Sequence, residues 1–350
     1  MRSASSNPRS ISRRAVFHGR FEVNVSLLAA KDELSTRYLR SIDRRQVPTF
    51  RQPITPALPW NVVGVGIGEK VSNGKPTGIT CIKFLVRNKF LKHMIPTSHI
   101  LPVMHRRIPT DIEEVGLIHA ASTDTADFTT RIRPAQPGCS IGHSTSAGQV
   151  PEAGTFGALV QDANGTYILS NNHVLAEENV LPNGTPIFQP SLLDQGNAAT
   201  DQIAGLTRSI ALDANVMNTV DCAIAQLTSP ELASPAILEI GVPAGFTTAT
   251  SDMVVHKFGR STGYTVGTIK SIAMDVNVVY DTVMFGFTNQ IFVQSADGTD
   301  FCASGDSGSL ILERQSRNAI GLLHATSAGA AFANHIEDVL QQLGVDLVTG

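Results

Sequence analysis

The spacing of apolar and polar positions changes along this chain, and the changes divide it into zones. Up to residue 59, Leu27, Leu28, Leu34, Tyr38, Leu39 and Ile42 recur at three- and four-residue intervals, which predicts one amphipathic helix docked on its own chain. The second zone, 60–119, opens with Val62, Val63, Val65 and Ile67, turns at Ser72-Asn73-Gly74 and returns through Ile79 to Val86. That predicts a hairpin within a small α/β or α+β module. Residues 120–137, rich in Thr, Asp, Ala and Pro, read as a linker. From 138 to 350, short apolar runs alternate with Gly, Asn, Asp and Pro, at 158–160, 167–169, 185–188, 223–227, 253–258, 268–272, 276–280, 290–293, 310–312 and 320–324. Many short strands with turn signals between them predict a sandwich or barrel. Only 333–343 is helical in pattern, through His335-Ile336, Val339-Leu340 and Leu343, and Gly344 closes it.

Three local motifs on this strand-rich frame bring together a base, an acid and a nucleophile. His173 follows an apolar strand in Leu169-Ser170-Asn171-Asn172-His173-Val174-Leu175, and Asp221 precedes another in Thr219-Val220-Asp221-Cys222-Ala223-Ile224-Ala225. Ser307 sits in the glycine-flanked turn Gly305-Asp306-Ser307-Gly308-Ser309. A serine hydroxyl needs a hydrogen-bonded imidazole to take its proton, and the imidazole needs a buried carboxylate to fix its tautomer. The oxyanion needs backbone N–H donors, for which Gly305 and Ser307 are the natural choice. An α/β-hydrolase reading fails, because only 43 residues follow Ser307 and the order Ser, acid, His is not met. Taken together and in this order, the three motifs favour catalysis over a core His, a capping Asp and a turn Ser.

These residues resemble the chymotrypsin-like (trypsin-like) serine peptidase superfamily, and Gly259-Arg260-Ser261-Thr262-Gly263 followed by Gly267-Thr268-Ile269 is similar to a segment of its bacterial members. Leu169 to Leu175 and the module after Asn61 resemble, more narrowly, intracellular bacterial trypsin-like peptidases, with the plant narrow-leaf protein a distant likeness. The resemblance implies a mainly β fold: a chymotrypsin-like double Greek-key β-barrel over 138–350, with the small N-terminal α/β module before it and a C-terminal helix. It implies a serine endopeptidase that works through an acyl-enzyme, with His173, Asp221 and Ser307 as triad and no metal or cofactor. Asp306 is the position that pairs with a newly cut N-terminus in zymogen-activated relatives. No Ile-Val-Gly-Gly start lies near residues 131–142, so an internal partner is expected. The resemblance puts the specificity pocket at Phe301, His324 and Thr326. Phe301 in place of an acid implies a small or apolar P1 residue. Strand alternation turns His324 instead toward Asp221 from beneath, the preferred reading, whereas a pocket-facing His324 would select Glu or Gln.

Composition narrows the partners. A net charge of -3 gives no global reason for nucleic acid, and no run of 18 apolar residues spans a membrane. The arginines concentrated in the first 51 residues read as a solvated arm, and the N-terminal zones are where any oligomer contact is expected. Gly64-Val65-Gly66-Ile67-Gly68 is followed by a strand rather than a helix, so it is not a dinucleotide site. Cys81, Cys139, Cys222 and Cys302 form no CxxC pair, which favours scattered thiols and the cytoplasm. The expected partner is a protein or peptide substrate. The competing class is a catalytically silent or regulatory interaction protein on the same fold.

Overall fold

The computed structural model describes residues 25–42, 44, 61–120, 127–144, 152–280 and 283–350. Most of the basic arm and part of the expected linker lie outside these residues. The fold is mainly antiparallel β, a chymotrypsin-like double barrel with a helix at its C-terminal end.

The N-terminal module comprises α1 (Val25–Ser35), β1 (Val62–Ser72), β2 (Lys75–Val86), β3 (Met104–His105) and β4 (Ile108–Glu114). The β1–β2 hairpin closes with Ser72 opposite Lys75, and Asn73 and Gly74 both take positive φ, as a two-residue hairpin turn needs. Leu27, Ala30 and Leu34 of α1 are buried on Val65, Ile67, Ile82 and Phe84. The expected helix thus ends sooner than its apolar spacing implied, and a single wider turn, Thr36–Arg40, carries Tyr38 and Leu39 onward.

The first barrel uses β5 (Ser140–His143), β6 (Gly154–Thr155), β7 (Ala158–Asp162), β8 (Gly165–Ser170), β9 (Pro186–Phe188), β10 (Gln202–Ser209), β11 (Met217–Asn218) and β12 (Ala223–Leu227), with α2 (Asn172–Ala176) after β8. Of these, β11 pairs instead with the second sheet. The others run β7-β8-β12-β10-β9-β5-β6, and β6 leads back into β7, which curls the sheet on itself around Ile141, Phe156, Ile168, Ile187 and Ile203.

The second barrel uses β13 (Gly245–Phe246), β14 (Val254–Gly259), β15 (Gly263–Tyr280), β16 (Val283–Ser295), β17 (Leu310–Glu313), β18 (Asn318–Ser327) and β19 (Ala330–His335). The order β16-β19-β18-β17-β14-β15 is closed by pairing of β15 with β16, while β13 joins β18 from outside. Its interior holds Ile269, Ile291, Val293, Ile311, Ile320 and Leu323. After it, α3 (Ile336–Leu343) buries Ile336, Val339, Leu340 and Leu343 in the seam between the barrels. Each such side chain contributes roughly 1.5–3 kcal/mol. A last strand, β20 (Asp346–Leu347), returns to β7.

The two runs at 268–272 and 276–280 are one strand, β15, whose register shifts at three places opposite β16. It is long because β1 adds to its far part, with Gly64 opposite Val276 and Val65 opposite Asp275. Asp275 is fully buried there and takes Lys31 Nζ at 2.7 Å and Ser35 Oγ at 2.6 Å. The β1 glycines answer this approach, since a Cβ on Gly66 would lie 2.4 Å from Met274 Sδ. The start of the predicted C-terminal helix is likewise strand, because Ala331 and Ala333 pair with β16.

Candidate active site

The acid and the imidazole are brought together by one strand pair. β12 runs antiparallel to β8 with Ala223 opposite Ser170, so the residues just beyond each, Asp221 and Asn172-His173, meet at the barrel rim. Asn171, in extended conformation, donates from Nδ2 to the Asp221 carbonyl at 2.7 Å, and α2 begins directly after it. His173 Nδ1 lies 2.6 Å from Asp221 Oδ2, and the amides of Asn172 and His173 donate to Oδ1 at 2.7 and 3.3 Å.

Asp221 is fully buried, and burial opposes its charge. The neighbouring His173, by charge and hydrogen bond, outweighs this and holds the carboxyl below its usual range. For His173 burial acts downward, but the charge and hydrogen bond of Asp221 raise the pKa above the ordinary imidazole value. Nε2 of His173 is buried and has no hydrogen-bond partner among the described residues.

Ser307 stands in a turn that requires its glycines. Gly305 and Gly308 both have φ of 93°, and a Cβ on Gly308 would fall 2.1 Å from Ser170 Oγ. The amides of Gly305 and Ser307 donate to no described residue. The Ser307 hydroxyl is buried and directed at the His324 carbonyl, 3.3 Å away, rather than at His173.

The expected internal partner of Asp306 is Lys257. Its Nζ lies 3.1 Å from Asp306 Oδ2, and both side chains are fully buried. Thr262 Oγ1 and the amides of Ser261, Thr262 and Ala303 also donate to this carboxylate. Next to it Arg260 grips Asp194 through two nitrogens at 2.5 and 2.7 Å. The Gly259 to Gly263 segment is thus a clamp on the turn that carries Ser307.

The three expected pocket residues do not converge. The Phe301 ring is fully buried in the second barrel's interior, where it meets Ile269 and Val293, and Lys257 Nζ lies 5.8 Å from its centroid. Thr326 Oγ1 donates to the Ala330 carbonyl across the β18–β19 turn and takes the Cys302 thiol at 3.2 Å. His324 lies fully buried beneath the carboxylate, with its ring 4.6 Å from that of Phe287. His324, at the point where β18 shifts register against β19 between Leu323 and Ala325, therefore lies on the Asp221 side, which corrects its assignment to the pocket. The contact to Asp221 runs through Tyr280, whose hydroxyl donates to Asp221 Oδ2 at 2.9 Å and lies 3.4 Å from His324 Nδ1.

Two further groups escaped sequence reasoning. Asn334 Oδ1 accepts from the Asp221 amide at 3.0 Å. The residues before the expected linker also enter the site: His119 and Thr326 exchange backbone hydrogen bonds of 3.1 and 3.0 Å on the β18 edge, two residues beyond His324. On its other side this segment bonds Val279, through the Ile118 carbonyl and the Ala120 amide. No group of three or more His, Cys, Asp or Glu side chains among the described residues could hold a metal.

Several solved structures are similar to this chain. Protease A of Thermobifida fusca is 18% identical with a TM-score of 0.44, over 62% of this chain and 100% of that one. A serine protease specific for glutamic acid and a Nocardiopsis protease are each 17% identical with a TM-score of 0.42, over 61% of this chain and 100% of theirs. No curated protein matches the chain, and no comparison shows a link to the plant narrow-leaf protein. The sequence model of peptidase family S64 matches residues 90–338, from just after β2 within the N-terminal module into α3, and the chain belongs to that family.

Proposed function

We propose that this peptidase is a serine endopeptidase that cleaves peptide bonds through an acyl-enzyme on Ser307. The observation that carries the reading is the short contact from Asp221 to His173 Nδ1, which leaves Nε2 buried, unbonded and on the side away from the carboxylate. In this scheme Nε2 takes the Ser307 proton as Oγ bonds to the scissile carbonyl carbon. The imidazolium formed is stabilised by Asp221 and returns the proton to the leaving amine. Water then attacks the acyl-enzyme by the same route. The unengaged amides of Gly305 and Ser307 receive the oxyanion.

Lys257 supports activity without a prior cut of the chain, because it supplies from within the cation that Asp306 needs. The free, buried thiols at Cys81, Cys139, Cys222 and Cys302 support a reducing compartment, the cytoplasm. A small or aliphatic P1 residue is favoured, since none of the residues expected to line the pocket, Phe301, His324 and Thr326, offers a carboxylate for a buried cation.

The orientation of Ser307 toward the His324 carbonyl favours a second reading, a catalytically silent interaction protein. Treatment with a fluorophosphonate, followed by mass spectrometry of the digested protein, separates the two. The enzyme reading expects one adduct, on the peptide containing Ser307, and none in Ser307→Ala. An adduct elsewhere, or none on folded protein, leaves the silent reading.

A further inference from the structure

We infer that Tyr280 is a positioning residue of the triad: its hydroxyl, backed by His324, fixes the Asp221 carboxylate against His173. This rests on the reading of His173, Asp221 and Ser307 as the catalytic set. Asp221 Oδ1 is held by two backbone amides, whereas among the described residues Oδ2 has only His173 Nδ1 and the Tyr280 hydroxyl. In the proposed reaction the imidazole gains and loses a proton, and so changes charge. Among the described residues, Tyr280 is therefore the one donor on Oδ2 that stays constant while His173 works.

The ring is held as firmly as the hydroxyl. It meets the His173 ring edge-on at 5.3 Å and Phe285 edge-on at 5.3 Å, and it lies tilted against Phe287. Its backbone ends β15, one residue after Val279 bonds Ile118 and Ala120, and five after Asp275, anchored by Lys31 and Ser35. The N-terminal helix thus steadies, at a distance, the strand that delivers Tyr280.

The direction of the chain follows from donor and acceptor capacity. A carboxylate only accepts, so the phenol proton points at Asp221 and an oxygen lone pair faces His324. His324 then carries its proton on Nδ1, a tautomer assigned from this network. Its Nε2 is bare and buried without a partner, as a nitrogen lacking a proton can be at lower cost than an N–H. Burial lowers the His324 pKa to about 4, so it stays neutral while His173 titrates. Burial, and then the Asp221 charge, keep the Tyr280 phenol protonated. The other groups bearing on this cluster are the Glu152 and Glu178 carboxylates, which act on His173, and the buried, protonated Cys222 thiol.

The test reads the rate at which a fluorophosphonate labels Ser307, as a function of pH, in three forms of the full chain. Tyr280→Phe removes only the hydroxyl. Labelling should slow by roughly 10- to 100-fold, the range for a hydrogen bond to a charged group. Its acid limb should move to higher pH, because Asp221 with one donor fewer binds the imidazolium more tightly. Replacing Tyr280 by 3-fluorotyrosine keeps the ring and strengthens the donor, so the limb should move to lower pH. It also serves if the Phe variant fails to fold. Limbs that stay in place in both variants reduce Tyr280 to packing and overturn the inference, whatever the rate. If the unaltered protein labels at Ser307 and the variants do not shift, the inference alone fails. If the folded, unaltered protein does not label, the triad reading fails and takes the inference with it.

Discussion

Lys257→Met is the substitution that tests most directly how the Ser307 turn is held. Lys257 and Asp306 are both fully buried, 3.1 Å apart, so the change leaves a carboxylate in the interior without its cation. Breaking such a pair costs about 3–5 kcal/mol. Four neutral donors remain on Asp306, from Ser261, Thr262 (amide and hydroxyl) and Ala303, which puts the expected loss at the lower end, about 3 kcal/mol. Activity should fall further than stability suggests. Asp306 lies between the two proposed oxyanion amides, and displacement of one such donor costs about 10²–10³ in rate. Urea unfolding measures the first effect and the rate of fluorophosphonate labelling measures the second. The double variant Lys257→Met with Asp306→Asn should recover part of the stability, because the uncompensated charge is then gone. A single variant within about 1 kcal/mol of the parent, labelling at the parent's rate, would show that the turn does not depend on this cation.

Further outcomes follow from the same geometry. The acid limb of activity should lie above the ordinary imidazole pKa of roughly 6.5, because His173 must be neutral to act and its pKa is raised. A limb at or below that value would contradict the His173–Asp221 coupling. Asp221 has the opposite sign: its lowered pKa contributes stability that is complete above roughly pH 4 and is lost as pH falls through the folded-state value, which acid unfolding of Asp221→Asn against the parent measures. Asp221→Asn should also cut kcat by about 10⁴ with the fold intact. In a peptide library, cuts after small or aliphatic residues are expected, and dominant cuts after Arg or Lys would point to Asp300, beside Gly329, as the selecting charge.

The motifs of the proposed triad stand out in the sequence because each is local: a strand end, a strand start and a glycine turn fit within about ten residues. The barrels were legible through the same short apolar runs. Tyr280 was hidden because an aromatic residue closing an apolar strand looks like core, and its hydroxyl acquires a partner only when β15 is laid against Asp221. Lys257 was hidden by alternation, which makes a polar residue within a strand look solvent-facing. Its burial depends on Asp306, 49 residues later. The break expected within β15 came from Asp275, a charge inside an apolar run. Its compensating groups, Lys31, Ser35 and Arg40, lie 244, 240 and 235 residues upstream, beyond the reach of any periodicity. The strand β10 went unread because Gly205 and Arg208 dilute its apolar content.

The length of β15 bears on how this protein can be handled in pieces. Its near part is a stave of the second barrel, and its far part, around Asp275 and Val276, has β1 as a neighbour. A fragment that begins at Gly138 keeps every residue of both barrels, yet it loses β1, Lys31 and Ser35 together. The uncovered stretch would offer unpaired amides and carbonyls beside Val276 and Val278, the kind of edge along which chains join one another. The Asp275 carboxylate would meanwhile lose the lysine and serine that hold it. Trimming to the double barrel should therefore yield aggregates rather than a smaller folded unit, and a soluble fragment is expected to begin no later than the N-terminal helix.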